Sequence, residues 1–184
     1  MGNIITIPLN NKERKTSVKS CLASVQADIA APQSVVFERI MPVDLTSIFT
    51  GYGPLPAVVG TRDQTGTWDA AGQTRTVIMS DGSSAQEQLT AYEYPNYFSY
   101  IVSNFTGVLR AFVTSARGEW WFGPGSETSG EVTHIKWVYV FNARSPFSIS
   151  IVWFLTKVLW KGYMREALYI LKAQVESHDG NYQL

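Results

Sequence analysis

The chain has 184 residues and carries 15 basic and 15 acidic side chains, a balance that argues against nucleic-acid binding because phosphate backbones need a basic surface. One cysteine, Cys21, excludes an intramolecular disulfide and predicts a reducing, cytoplasmic location. Charged residues make up only 16% and hydrophobic residues 45%, so we expect an apolar surface or an internal cavity, yet no apolar run is long enough to span a membrane.

The first predicted elements follow a polar stretch, residues 1–20, which we expect to be a loose lead-in without a signal peptide. Apolar and polar residues alternate over 22–30, which predicts a half-buried strand. Two short helices are predicted next, one opened by Pro32 and a second over 43–49. The residues that follow, 51–56, have the composition of a loop.

Strand signals then come in close succession up to residue 142. The predicted strands are 57–64, 67–68, 73–80, 85–94, 97–104, 112–122 and 131–142. Asp81-Gly82 is a hairpin signal, and Tyr94-Pro95-Asn96 indicates another tight turn. Connections this short predict sequential antiparallel pairing.

The last predicted element is a helix of about thirty residues. Ser145 is a suitable N-cap and Pro146 a suitable first residue. Its predicted sheet-facing side consists of Val152, Leu155, Leu159, Tyr163, Ala167 and Ile170. We expect one α+β domain over 21–178 and a tail over 179–184, with space between a curved sheet and its single covering helix.

Several segments, in this order, resemble the helix-grip (SRPBCC) superfamily of START lipid-transfer domains, birch-pollen-allergen-like proteins and polyketide cyclases. The segments are Ala27-Asp28-Ile29-Ala30-Ala31-Pro32, Gly72-Gln73-Thr74-Arg75-Thr76-Val77, Ser80-Asp81-Gly82, Glu87-Gln88-Leu89-Thr90, Phe98-Ser99-Tyr100 and Thr133-His134-Ile135-Lys136-Trp137. The chain is most similar to the polyketide cyclase/dehydrase and lipid transport branch. The resemblance implies a curved antiparallel sheet wrapped around a long C-terminal helix, with two short helices after the first strand. It also implies an apolar ligand in a cavity, and few catalytic residues are shared across the superfamily.

Arg75 and Glu87 flank the predicted hairpin turn, so they are expected to lie on adjacent strands within about one register step of each other. If both face inward, the ion pair could orient a carbonyl or carboxylate of a ligand. If both face outward, they form an ordinary surface pair.

The remaining candidate ligand-binding residues are Tyr100, Trp120, Trp137, Tyr139, Leu159, Tyr163 and Glu166. The strand aromatics can be cavity wall or plain core. Tyr163 could bind a ligand oxygen or act as an acid and Glu166 could act as a base, or both could lie at the rim without such a role. We predict no metal site, because the two histidines, His134 and His178, are far apart in the sequence, and no cofactor.

Three functions remain open from the sequence. The first is binding or carrying a hydrophobic small molecule, lipid-, polyketide- or sterol-like. The second is a cyclase- or aromatase-like enzyme that uses polar groups in the same cavity. The third is dimerisation through the apolar surface formed by Trp153, Phe154 and Val158, which the N-terminal segment or a membrane could cover instead.

Overall fold

The computed structural model describes residues 19–125 and 132–179. Most of the predicted lead-in and tail therefore lie outside the described residues. The strands are β1 (Ser20–Ile29), β2 (Val58–Arg62), β3 (Thr74–Met79), β4 (Ser84–Glu93), β5 (Tyr97–Ser103), β6 (Val113–Pro124) and β7 (Thr133–Ala143). The α-helices are α1 (Gln33–Ile40), α2 (Leu45–Ile48), α3 (Ile149–Phe154) and α4 (Lys161–Asp179).

The strand alternation read from the sequence is confirmed in β1, where Ala23, Val25 and Ile29 are buried and the residues between them are more exposed. One predicted strand is wrong, because residues 67–68 lie in the connection between β2 and β3. Trp68 there has a φ of 65°, a left-handed conformation that cannot continue a strand.

All seven strands form one antiparallel sheet in the order β1-β7-β6-β5-β4-β3-β2. The first and last strands of the chain are therefore neighbours, and the other strands pair in sequence. The pairing register shifts within β2, β4 and β6. Each shift bends the strand and increases its twist, so the sheet curves and presents a concave face.

The C-terminal helix lies on this concave face and begins where the sequence predicted. The Ser145 hydroxyl accepts a hydrogen bond from the Ser148 backbone N–H at 3.2 Å, which caps a short 3₁₀ turn, Pro146–Ser148, at the helix start. α3 and α4 are joined by a π-helical segment, Leu155–Trp160, which the sequence did not predict. The side chain of Thr156 is buried there and donates to the Val152 carbonyl at 2.6 Å.

The buried face of the C-terminal helix differs from the predicted one. Val152, Tyr163 and Ala167 are buried as expected. Leu155, Leu159 and Ile170 are only half-buried, because the wider π turn changes the helical spacing on which the prediction relied. The residues buried in their place are Thr156, Met164, Leu168, Leu171 and Val175.

The second half of the C-terminal helix is fixed to the start of the domain by polar contacts. Glu176 Oε1 accepts a hydrogen bond from the Ala30 backbone N–H at 2.9 Å, and Lys172 donates to the Asp28 carbonyl. Lys172 and Glu176 also form an ion pair at 3.2 Å. Among the described residues, no helix is long and apolar enough to cross a bilayer.

Candidate functional site

A cavity of about 470 Å³ lies between the concave face of the sheet and the C-terminal helix. Its volume falls within the range of about 300–1,000 Å³ that is typical of small-molecule sites. Strands β2 to β7 provide most of its wall, α2 and the 51–56 loop close one end, and α3 with the π segment covers the top. Most of the lining side chains are aromatic or aliphatic, which suits an apolar ligand.

Arg75 and Glu87 form a buried ion pair in the wall of this cavity. They lie directly opposite each other in the register of β3 and β4, within the one register step that the hairpin predicted, and each is 8% exposed. Arg75 Nε donates to Glu87 Oε2 at 2.7 Å. The outward, solvent-facing alternative is wrong, because both residues share the inward parity of Val77 and Leu89.

The guanidinium of Arg75 retains donors that the protein does not use. Within the described part of the chain, Nε is the only guanidinium nitrogen of Arg75 that makes a hydrogen bond. The group stacks on the buried indole of Trp68, 4.1 Å from the ring centre, which holds the guanidinium plane in place. The terminal N–H groups can therefore bind an acceptor oxygen of a ligand.

Two buried tyrosines extend the polar part of the wall. Burial, with the nearby Glu87 charge, raises the pKa of the Tyr100 phenol well above its usual value. Burial, with Tyr100 and then Glu87, likewise raises the pKa of Tyr139. Both hydroxyls therefore keep their protons across the physiological pH range and can donate hydrogen bonds.

The position of the Tyr100 ring depends on a glycine in the neighbouring strand. Gly118 of β6 lies opposite Tyr100 in the register, and a Cβ placed on it would meet the ring at 2.3 Å. The ring thus lies flat across the place where any other residue would carry a side chain. The missing side chain allows Tyr100 to lie across the cavity wall rather than point straight out of the sheet.

Two tryptophans of the cavity lining have unused indole donors. Trp137 is fully buried and stacks on Trp120 with a ring separation of 4.3 Å. Its Nε1 is close enough to Tyr100 to influence the phenol pKa, yet it makes no hydrogen bond of acceptable geometry to any residue in 19–125 or 132–179. The buried Nε1 of Trp160 also has no hydrogen-bond partner among the described residues. Unpaired buried donors are uncommon in proteins and are expected to be satisfied by a bound molecule or water.

Tyr163 lies in the cavity lining, but its hydroxyl is already committed to the protein. It accepts a hydrogen bond from the Gly51 backbone N–H at 2.8 Å and donates to the Pro56 carbonyl at 3.1 Å. The helix thereby holds the two ends of the 51–56 loop. This geometry favours a structural role for Tyr163 over an acid or a ligand contact.

Replacing Tyr163 with phenylalanine should lower the free energy of unfolding by about 1–3 kcal/mol, because two backbone groups of the loop lose their partner. Urea denaturation measures the loss. Tyr169→Phe is the control, since Tyr169 is 74% exposed on the same helix and should show no change. Unchanged stability together with lost ligand binding would instead assign the Tyr163 hydroxyl to the ligand.

The structure separates the other two helix candidates. Leu159 lies in the cavity lining, whereas Glu166 is half-buried and outside it. Glu166 is near enough to Tyr163 for its charge to contribute to the raised pKa of that phenol, after the larger effect of burial. Between Glu87 and Glu166, only Glu87 is therefore placed to act as a base on a molecule in the cavity.

Sequence reasoning did not identify several lining residues. Phe49 stacks on Trp160 at 6.0 Å and meets Trp137 edge-on at 6.1 Å, and Trp68 covers Arg75. These residues come from connections between strands and helices, and no periodicity marks such positions. The clearest available signal was the number of aromatic residues, 13% of the chain.

Among the described residues, no group of three or more His, Cys, Asp or Glu side chains is arranged to hold a metal ion. His134 Nδ1 lies 2.6 Å from Asp28 Oδ1 across β7 and β1, half-exposed on the convex face. The polar groups of the cavity lining are the Arg75–Glu87 ion pair, phenols, indoles and, at and beside the β3–β4 turn, Asp81, Ser83, Ser84 and Thr106. Such a set can bind and polarise an oxygen atom.

Solved structures with the same fold come from plants and bacteria. Norcoclaurine synthase from Thalictrum flavum, solved with dopamine and hydroxybenzaldehyde, is 13% identical with a TM-score of 0.66, over 96% of this chain and 98% of that chain. XoxI from Bacillus cereus is 15% identical with a TM-score of 0.59, and the match covers 84% of this chain and 95% of XoxI. Major latex-like protein 151 from Panax ginseng is 15% identical with a TM-score of 0.56, and the match covers 84% of this chain and 97% of that protein. Identities this low show a shared fold alone.

A search of curated proteins finds no sequence that matches this chain. A family model does match, over residues 20–176, and its description is polyketide cyclase/dehydrase and lipid transport. The match runs from the start of β1 almost to the end of α4 and so includes the whole cavity. The chain therefore belongs to the polyketide cyclase/dehydrase and lipid transport family, as its sequence pattern indicated.

Proposed function

We propose that this protein binds or carries a hydrophobic small molecule, lipid-, polyketide- or sterol-like, in the cavity between sheet and helix. The observation that carries the proposal is the cavity itself, about 470 Å³ with a mostly apolar wall and one buried ion pair. A filled core would not leave such a space, since protein interiors are normally close-packed. Family membership supports the same class of ligand. The single thiol, Cys21, is buried and supports a cytoplasmic location.

The ligand should carry at least one acceptor oxygen. In the described part of the chain, the wall donors without a protein partner include the terminal N–H groups of Arg75, the phenols of Tyr100 and Tyr139, and the indoles of Trp137 and Trp160. The cavity lining also contains two carboxylates: Glu87, which is already paired with Arg75, and Asp81, which lies on the β3–β4 turn. A pure hydrocarbon would leave these donors unsatisfied, whereas a carbonyl or carboxylate would engage them.

Fluorene and 9-fluorenone test this preference, because the two rigid molecules differ by one carbonyl oxygen. Isothermal titration calorimetry should show that both compounds bind. The affinity for fluorenone should be about tenfold higher, because a single good hydrogen bond to a charged donor contributes about that much. The substitutions Tyr100→Phe and Arg75→Lys should each reduce the ratio of the fluorenone affinity to the fluorene affinity. No binding of either compound would contradict the proposed function. Equal affinities would contradict only the role of the donors.

A cyclase- or aromatase-like activity is the second candidate, and the convergence of Arg75, Glu87 and Tyr100 on one cavity favours it. Closing a ring on a poly-β-ketone chain requires removal of a proton next to one carbonyl and stabilisation of the charge that develops on another. Glu87 could accept the proton, and Arg75 and Tyr100 could stabilise the oxyanion. Incubation with a poly-β-ketone thioester tests it. Wild-type turnover that Glu87→Gln abolishes, without loss of folding or of fluorenone binding, would establish the enzyme.

A further inference from the structure

The open end of the cavity is bordered by an exposed apolar surface, which we call the mouth face. It consists of Val108, Phe147, Ile151, Trp153, Phe154 and Val158. Phe147 is 94% exposed, Val108 79% and Trp153 54%. Large apolar side chains grouped in this way are rare on an isolated domain and indicate a surface that contacts something else.

The mouth face is continuous with the interior of the cavity. Val108, Ile151 and Phe154 are exposed to solvent and also line the cavity. They lie on two separate elements, the 3₁₀ turn before β6 and the start of the C-terminal helix. The opening between these elements is therefore surrounded by apolar side chains. A hydrophobic ligand could pass from an apolar environment outside the protein, through this opening, into the cavity without being exposed to water.

The two chain segments that form this face carry only positive charges. Residues 104–118 and 143–165 contain basic side chains and no Asp or Glu. Arg110, Arg144 and Lys157 are exposed, and Arg144 Nε is held by the Arg110 carbonyl at 2.7 Å. One acid, Asp81, lies across the opening on the β3–β4 turn. In a chain with no net charge, this bias marks a surface suited to an anionic partner.

A second copy of the chain fits this surface poorly. A two-fold dimer would bring the basic residues around the mouth face of one copy against the same basic residues of the other copy, and these like charges would repel each other. It would also close the opening on both protomers. An anionic bilayer matches both features, because aromatic side chains insert at the level of the headgroups and basic side chains contact the phosphates.

We propose that the mouth face docks on the surface of an anionic lipid bilayer and brings the cavity opening against the membrane. Phe147 and Trp153 insert, and Arg110, Arg144 and Lys157 contact the lipid headgroups. The inference goes beyond binding a ligand, because it assigns the place where the ligand enters or leaves. It does not depend on the identity of the ligand.

Sedimentation of the intact chain with vesicles tests the docking. One set of vesicles is pure phosphatidylcholine and the other contains about one third phosphatidylserine. The wild type should bind the second set, more weakly as salt is raised, and should bind the first set little. The variant Phe147→Ser/Trp153→Ser should lose binding by about tenfold or more. Neither residue lines the cavity, so fluorenone binding should stay unchanged.

Tyr169→Ser is the matched control, because Tyr169 is an aromatic residue 74% exposed on the same helix but away from the opening. It should bind the anionic vesicles as the wild type does. Failure of the intact chain to bind them would overturn the proposal, as would equal binding by the double variant. A solution dimer that the double variant dissociates would also overturn it, and would assign the face to a second copy of the chain.

Discussion

Replacing Arg75 with methionine is expected to lower the free energy of unfolding by about 3–5 kcal/mol. The substitution keeps an apolar stem of similar length but leaves Glu87, only 8% exposed, without the group that neutralises it. A buried carboxylate that has lost its partner bears the full cost of desolvation. Urea denaturation monitored by tryptophan fluorescence measures the loss.

The double variant Arg75→Met/Glu87→Leu separates this effect from simple loss of packing. Removing both charges eliminates the unpaired carboxylate, so most of the lost stability should return. Binding of fluorenone should still fall to the level of fluorene, because the guanidinium donor is absent. A double variant as unstable as the single one would show that Arg75 acts through packing on Trp68 rather than through Glu87.

The ion pair Arg117–Glu119 provides a matched control. Its N–O distance is 2.7 Å, the same as that of Arg75–Glu87, but the Arg117 side chain is 51% exposed. Arg117→Met should therefore cost less than about 1 kcal/mol, because water screens the pair. A similar loss at both positions would contradict the buried character of the cavity pair.

Replacing Val77 with tryptophan should abolish binding of hydrophobic ligands, with affinity reduced at least about tenfold. Val77 points from β3 into the cavity, and an indole there would occupy the space left for the ligand. Because that space is empty of protein atoms, the stability should change by less than about 1.5 kcal/mol. Calorimetric titration with fluorenone, together with urea denaturation, measures both quantities.

The next residue along the strand is the control for this prediction. Ile78 lies on the opposite face of β3 and outside the cavity lining, so Ile78→Trp should leave fluorenone affinity unchanged. Loss of affinity in both variants would mean that the ligand does not occupy the cavity. If Val77→Trp retained its affinity for fluorenone, that result would also mean that the ligand does not occupy the cavity.

Local patterns in the sequence predicted the sheet and its ion pair. The alternation in β1 and the Asp81-Gly82 turn determine strand faces and register over short distances, which placed Arg75 within about one register step of Glu87. The C-terminal helix was predicted from an N-cap and a long apolar run. The family resemblance supplied the overall arrangement.

Features that depend on distant contacts could not be predicted in this way. Trp68 has a backbone conformation unfavourable for its residue type, and it is held by stacking on Arg75. The Tyr163 hydroxyl joins loop residues 112 and 107 positions away in the chain. The π segment shifts the buried face of the helix without a proline or glycine to mark it. Each is a tertiary effect that overrides the local spacing.

The indole N–H signals of the six tryptophans provide the most direct test of ligand binding in the cavity. Trp68, Trp120, Trp137 and Trp160 line the cavity, whereas Trp121 and Trp153 are on the outside. In a ¹⁵N–¹H correlation spectrum, titration with fluorenone should shift the four inner signals, most strongly those of Trp137 and Trp160, and leave the two outer signals in place. Shifts confined to Trp121 or Trp153, or no shifts at saturation, would contradict the proposal that this cavity is the binding site.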